Sequence, residues 1–121
     1  MWIVIAAINL ALAVGLGAFG AHGLKNRASA DQLAWWHTAT EYFFYHALGL
    51  LAIGILMKVV PSLSLKLPAG LLQLGIIIFC GSLYLMALGA PRWFGAITPL
   101  GGLAMIAGWL GLAVMVFRAN I

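Results

Sequence analysis

Four long stretches of the chain carry no charged side chain, and this feature limits what the chain can fold into. The stretches are residues 1–24, 42–57, 67–91 and 93–117. A bilayer core of about 30 Å requires roughly 20 apolar residues in an α-helix. The composition agrees, because 65% of the residues are hydrophobic and 7% are charged, against about 25% charged in an ordinary soluble domain. The sequence therefore predicts an all-α integral membrane protein with four transmembrane helices in a compact bundle.

We predict a single transmembrane domain over residues 1–121. Its spans are expected at about residues 2–24, 34–57, 67–90 and 98–117. The first span is expected to be a retained helix and not a signal peptide. No Lys or Arg precedes it, and its apolar stretch is too long for the apolar region of a signal peptide.

Two local patterns predict where helices begin. Ser29 and Gln32 have the spacing of a capping box, so the second helix is expected to begin near Ala30. Thr98 followed by Pro99 is typical of an N-cap and a first helical residue, which places the start of the fourth helix there. The alternative is a start near Trp93, which would put a proline kink inside the helix.

The net charge of +4 comes from six basic and two acidic side chains that are spread singly along the chain. Nucleic-acid binding would require these basic side chains to be clustered. Scattered basic residues between apolar stretches are typical of short loops at a membrane surface, where anionic lipids attract them. We therefore expect membrane lipid, and not nucleic acid, as a partner. Each side of the membrane receives three Lys or Arg residues, so their distribution does not predict the orientation.

The second helix has a polar face and an apolar face. At 100° per residue, the polar side chains fall within one half of the helical wheel: His37, Thr38, Glu41, Tyr42, Tyr45 and His46. The opposite half contains Ala39, Phe43, Phe44, Ala47 and Leu50, with Thr40 as its only polar member. We therefore expect the apolar face to meet lipid and the polar face to meet protein or water.

Polar residues of the other spans are predicted to lie toward the same side of the membrane as this polar face. The candidate binding cluster consists of His22, Glu41, Tyr42, Tyr45, His46, Arg92 and Thr98. Such a cluster could bind a small polar species, respond to protons or form the mouth of a pore; alternatively, it could be a structural network that fixes helix register. Glu41 is predicted to form an ion pair with Arg92, with His22 or His46 as alternative partners.

Asn9 and Gln73 are expected to form a second, smaller polar pair. Both lie about 10 Å from the terminus side of the membrane, so they are predicted to hydrogen-bond between the first and third helices. Small residues recur every fourth position in two helices. They are Ala13, Gly17 and Ala21 in the first helix, and Ala104 and Gly108 (with the larger Leu112 next at the same spacing), then Ala107 and Gly111, in the fourth. This spacing predicts close helix packing, either within one chain or between copies of a homo-oligomer.

The sequence contains none of the common motifs of hydrolases, nucleotide-binding proteins or metalloproteases. We therefore expect a protein that is not an enzyme and has no cofactor. His37 and Glu41 are four residues apart, but two ligands make a weak metal site, so no metal is predicted. Cys80, the only cysteine, is expected to be an inert packing residue.

Several short segments resemble a known family. They include Gly17-Ala18-Phe19-Gly20-Ala21-His22-Gly23-Leu24, Phe79-Cys80-Gly81-Ser82-Leu83-Tyr84 and Thr98-Pro99-Leu100-Gly101-Gly102. Together with residues 42–48, these segments are similar to the YgdD-like family of small bacterial inner-membrane proteins of unknown function. The resemblance covers nearly the whole chain and implies four spans in a bacterial inner membrane. It singles out His22, Tyr42, His46, Ser82, Tyr84, Thr98 and Pro99, but it implies no activity.

Overall fold

The computed structural model describes residues 1–121, and all of its regular structure is helical. The long helices are α1 (Trp2–His22), α2 (Ala30–Val59), α3 (Lys66–Ala87) and α4 (Thr98–Ala119). Each is long and apolar enough to cross a membrane. The predicted all-α fold with four apolar helices is therefore confirmed.

Helix α2 begins as its local sequence predicts. The Ser29 hydroxyl accepts a hydrogen bond from the Gln32 backbone N–H at 3.2 Å, and the Ser29 N–H donates to the Gln32 side chain at 2.9 Å. This reciprocal capping box satisfies two backbone donors at the helix start. The helix has 30 residues, or about 45 Å, and is longer than the bilayer core. Its first turns therefore extend beyond the span predicted for residues 34–57.

Helix α4 begins at Thr98, and residues Arg92–Ala96 form a separate 3-10 helix before it. The predicted start is confirmed, and no proline kink interrupts α4. The predicted capping role of Thr98 is wrong, because Ile97 occupies the cap position and no side chain caps the helix. The Thr98 hydroxyl is instead hydrogen-bonded to Ser82 on α3.

Helix α3 contains a π-helical segment that the sequence pattern does not predict. Its two α-helical parts, Lys66–Gly75 and Gly81–Ala87, are joined by the π-helix Ile76–Cys80. A π-helix has a wider turn than an α-helix and is often found at functional sites. Ile76 and Cys80 from this segment are buried.

The two central helices are α2 and α3. Helix α1 packs mainly against α2, α4 packs mainly against α3, and α1 makes no extended contact with α4. The buried core lies along the central pair, where Trp36, Phe43, Leu50 and Leu72 are buried, and Met105 of α4 is also part of it. The resulting bundle has a lateral groove between α1 and α3.

Small residues allow close helix packing within the chain. Gly17 lies beside Thr40 of α2, and Gly108 lies against Leu72 of α3. Helices α3 and α4 approach closely at Gly101, where an added Cβ would lie 2.8 Å from the Cα of Phe79. At these positions the small-residue spacing serves packing between helices of one chain.

Candidate functional site

Helix α2 presents its polar face to the outside of the chain. Ala39 and Ala47 are fully buried and Phe43 is buried beside them, whereas His37 and Glu41 are exposed. The prediction that the apolar face meets lipid is therefore wrong, because this face packs against the rest of the chain. The physical reason is that helix packing in a membrane is decided by close van der Waals contact, which small residues such as Ala39 and Ala47 permit.

We define the outer polar stripe as His37, Thr38, Glu41 and Tyr45. These four residues lie within about 100° of the α2 circumference, and all are exposed. None of their side chains makes a hydrogen bond or an ion pair within the chain. The outer polar stripe is thus a row of exposed polar groups without partners in the chain.

The contacts of Thr40 establish the depth of this stripe. Its hydroxyl lies 2.8 Å from the Tyr84 hydroxyl, and its methyl group lies beside Gly17. Gly17 is five residues from the end of α1, and Tyr84 is three residues from the end of α3. The neighbouring Glu41 therefore lies about 5–8 Å inside the ends of these helices, and Tyr45 lies about 6 Å deeper.

Arg92 does not approach Glu41. Its guanidinium lies 3.7 Å from the Asp31 carboxylate and 5.5 Å from the centre of the Trp35 ring. The predicted Glu41–Arg92 ion pair is wrong, because the 3-10 helix places Arg92 over the first turn of α2, ten residues or about 15 Å before Glu41. The Arg92–Asp31 pair is largely exposed, so it contributes little to stability.

His46 is buried between aromatic side chains. Its Nδ1 lies 2.8 Å from the Tyr42 carbonyl oxygen; because a carbonyl oxygen only accepts, Nδ1 donates this bond. The imidazole is stacked on the Tyr42 ring and lies 5.9 Å from the Trp109 ring. The Tyr42 ring also contacts Tyr45 and Phe79. Three members of the candidate cluster, Tyr42, Tyr45 and His46, are therefore neighbours.

The remaining members of the candidate cluster lie apart from these three. His22 is exposed at the end of α1 and forms no ion pair. Thr98 is hydrogen-bonded to Ser82, whose hydroxyl donates to the Phe79 carbonyl oxygen at 3.0 Å. This small network joins α3 to the start of α4. The seven residues thus occupy separate places and do not form one pocket.

A buried hydrogen-bond network connects α1, α2 and α3. The Trp36 indole N–H donates to the Leu16 carbonyl oxygen at 2.8 Å. The Thr40 hydroxyl donates to the Trp36 carbonyl oxygen at 2.9 Å, so the Tyr84 hydroxyl donates to Thr40. Sequence reasoning missed this network, although Thr40 is the only polar residue on the apolar face of α2.

The structure places Asn9 beside Gln73, with the Asn9 amide donating to the Gln73 side-chain oxygen at 2.6 Å. We expect the two residues to be energetically coupled. A double-mutant cycle with Asn9→Ala and Gln73→Ala should give an interaction energy of about 0.6–1.7 kcal/mol, the range for hydrogen bonds between membrane helices. The free energy of unfolding in lipid bicelles measures this energy. Strictly additive losses in the double variant would show that the bond contributes no stability.

The chain has no group of three His, Cys, Asp or Glu side chains that could hold a metal ion. Cys80 is free and buried. The geometry thus presents exposed polar groups on α2, a buried hydrogen-bond network and a polar pair between α1 and α3.

Comparison with known proteins identifies the family. Residues 16–102 match the family described as "Protein of unknown function (DUF423)". The chain belongs to this family. The UPF0382 membrane protein SSP2132 of Staphylococcus saprophyticus is 49% identical over 118 residues, which cover 98% of each chain. The UPF0382 membrane protein YwdK of Bacillus subtilis is 44% identical over 115 residues, which cover 94% of each chain. No solved structure matches the chain.

This DUF423 protein is therefore a membrane protein of a family with no established activity. In a membrane the exposure of the outer polar stripe has a free-energy cost, because hydrocarbon offers no hydrogen bonds. Charged and hydroxyl-bearing side chains are less favourable in hydrocarbon than in water. In this DUF423 protein the polar side chains of the stripe have no hydrogen-bonding or ion-pair partner within the chain.

Proposed function

We propose that this protein is a non-catalytic, self-associating membrane protein, located in the bacterial inner membrane, the location that the YgdD-like resemblance implies. In this proposal, the outer polar stripe of α2 is the interface between two copies, and membrane lipid covers the remaining apolar faces. The observation that supports it is the exposure of Glu41 and Tyr45 on a helix long and apolar enough to cross a membrane, without any partner in their own chain.

The length of the stripe favours association over conduction of a polar species. On the outer face of α2, the residues that follow Tyr45 are Leu48, Ala52 and Ile55, which are exposed and apolar. A path for ions or protons would need polar groups through the full depth of the membrane. The stripe covers only one half, so it fits a polar contact between helices better than a pore.

A second copy would complement the stripe. One turn of helix separates the imidazole of His37 from the carboxylate of Glu41, and one further turn leads to the hydroxyl of Tyr45. In a two-fold symmetric pair the same surface of both copies meets, so each Glu41 can accept a hydrogen bond from His37 or Tyr45 of the other copy. Polar side chains frequently join membrane helices in this way.

Helix α1 provides a second feature that favours a close pair. Ala7, Ala11 and Gly15 recur every fourth residue and are exposed. Asn9 faces α3, and these three residues lie on the opposite side of α1. The space beside Gly15 is open, because an added Cβ there would contact nothing. A ridge of small residues lets the backbones of two helices approach closely. The outer surface of α1 therefore allows the close approach of another helix, and the outer surface of α2 offers polar groups for contact.

Replacing the stripe by apolar side chains is expected to separate the copies. The double variant Glu41→Leu/Tyr45→Leu should fold, because these side chains make no hydrogen bond within the chain and leucine is favourable in lipid. Loss of two symmetric hydrogen bonds should weaken dimerisation by at least about tenfold. Förster transfer between labelled copies in vesicles, measured over a range of protein-to-lipid ratios, gives the dissociation constant.

Leu103→Ala is the matched control, since Leu103 is an exposed residue of α4. This variant should associate like the wild type. A wild-type protein that stays monomeric at every protein-to-lipid ratio would contradict the proposal. Equal association of the wild type and the Glu41→Leu/Tyr45→Leu variant would contradict it as well.

A further inference from the structure

The lateral groove between α1 and α3 has the size of a small ligand site. Its volume is about 310 Å³, at the lower end of the usual range of about 300–1,000 Å³. Leu12 and Leu16 of α1 and Ile76 and Ile77 of α3 line it, and Phe43 of α2 lies between the two helices. Phe43 is on the face of α2 opposite Glu41. The groove is therefore separate from the outer polar stripe.

The π-helix of α3 forms part of the groove. Ile76, Ile77 and Cys80 belong to this segment and line the space. A π-helical turn is less stable than a regular α-helical turn, and such turns are found most often at functional sites. Its position at the groove is thus an observation independent of the volume.

The Asn9–Gln73 pair leaves two hydrogen-bonding groups unused in this groove. One bond joins the two amides, so the Asn9 carbonyl oxygen and the Gln73 NH₂ group remain without a partner in the chain. If the amides were flipped, one carbonyl and one NH₂ group would still remain. Asn9 is only 6% exposed. No buried side-chain nitrogen or oxygen atom lacks a partner, so both unused groups retain accessible surface. Asn9 and Gln73 are both among the residues that line the groove.

The unused groups define the chemistry of a complementary ligand. A carbonyl oxygen needs a donor, and an NH₂ group needs an acceptor. A hydroxyl group or a protonated carboxyl group supplies both, whereas an ester supplies only an acceptor. Asn9 is seven residues from Trp2, or about 10 Å inside the end of α1. A small uncharged head group fits this depth, while the charged head group of a phospholipid stays at the membrane surface.

We propose that the groove binds a single-chain amphiphile with an uncharged hydroxyl or carboxyl head group. The head group donates to the Asn9 carbonyl oxygen and accepts from the Gln73 NH₂ group. The hydrocarbon chain lies along α3 toward Tyr84, which lines the groove eleven residues after Gln73. This separation is about 16 Å, similar to the length of an extended dodecyl chain.

Photolabelling of the full chain in phospholipid vesicles tests this site. The probe is dodecanol with a diazirine group in its alkyl chain, and adducts are mapped by peptide mass spectrometry. Adducts should concentrate on the groove residues of α1 and α3 and be at least about fivefold less frequent on the exposed face of α4, the ratio expected from the two hydrogen bonds of the head group. Unlabelled dodecanol should compete, and methyl dodecanoate should not.

Dodecanoic acid is the second competitor, and its effect shows whether a carboxyl head group is accepted besides a hydroxyl group. Asn9→Leu and Gln73→Met, made separately, should each lower groove labelling to the level of α4. The control Leu74→Ala changes an exposed neighbour of Gln73 and should label like the wild type. Adducts spread evenly over the four helices, or groove labelling that is unchanged in both amide variants, would overturn the proposal. Equal competition by methyl dodecanoate would also overturn it.

Discussion

Gly101→Ala is expected to destabilise the protein by at least about 2 kcal/mol, within the range for overpacked interiors. The added Cβ would lie 2.8 Å from the Cα and the Cβ of Phe79 and still closer to its backbone nitrogen. Backbone atoms of α3 cannot move away as a flexible side chain can, so α4 would have to shift. The free energy of unfolding in bicelles, measured by steric trapping or by titration with a denaturing detergent, gives the size of the loss.

Gly70→Ala is the matched control for this change. Gly70 is also in a membrane helix, but an added Cβ there would contact nothing. Because the unfolded helices also lie in lipid and stay helical there, this variant should change the free energy of unfolding by less than about 0.5 kcal/mol. Only the Gly101→Ala change should thus cause a large loss. A loss at Gly101 no larger than the change at Gly70 would mean that α3 and α4 do not approach as closely as the structure shows.

Trp36→Ala is expected to have the largest effect of any single substitution. Trp36 is 2% exposed, its indole contacts the rings of Phe19 and Tyr84, and its N–H is hydrogen-bonded to α1. Truncation leaves a cavity among three helices. Because the unfolded helices also lie in lipid, the cavity term dominates, and the loss should be about 3 kcal/mol, the lower end of the usual range for Trp→Ala.

Trp93→Ala serves as the control for Trp36→Ala, since Trp93 is 63% exposed. Its removal should change the free energy of unfolding by less than about 0.5 kcal/mol. Trp36→Phe should fall between the two, because it keeps most of the ring volume but loses the bond to Leu16. Similar losses for Trp36→Ala and Trp93→Ala would contradict the assignment of Trp36 to the core.

The sequence predicted those parts of the fold that depend on neighbouring residues. The four apolar stretches, the capping box at Ser29 and the helix start at Thr98 all follow from local composition and spacing. The depth of Asn9 and Gln73 could be estimated by counting residues along two helices, because helical rise is constant. The hydrogen bond between them is present in the structure.

The sequence could not predict which face of α2 points inward. A helical wheel shows which residues share a face, but lipid is as apolar as a protein core, so polarity does not decide the orientation. The close packing of Ala39 and Ala47 decides it instead. The hydrogen bond between Thr40 and Tyr84 could not be predicted either, because these residues are 44 positions apart and meet only after the helices pack.

Disulfide cross-linking between copies in native membranes tests the outward orientation and pairing of α2 most directly. The variant carries Thr38→Cys in a Cys80→Ala background, so its only cysteine lies in the outer polar stripe; the control carries Leu103→Cys on α4 in the same background. A disulfide requires Cα atoms about 4.4–6.8 Å apart. Mild oxidation should convert the Thr38→Cys protein into covalent dimers and leave the Leu103→Cys protein monomeric. Dimers formed equally at both positions, or no dimer at Thr38→Cys, would contradict the pairing of copies through α2.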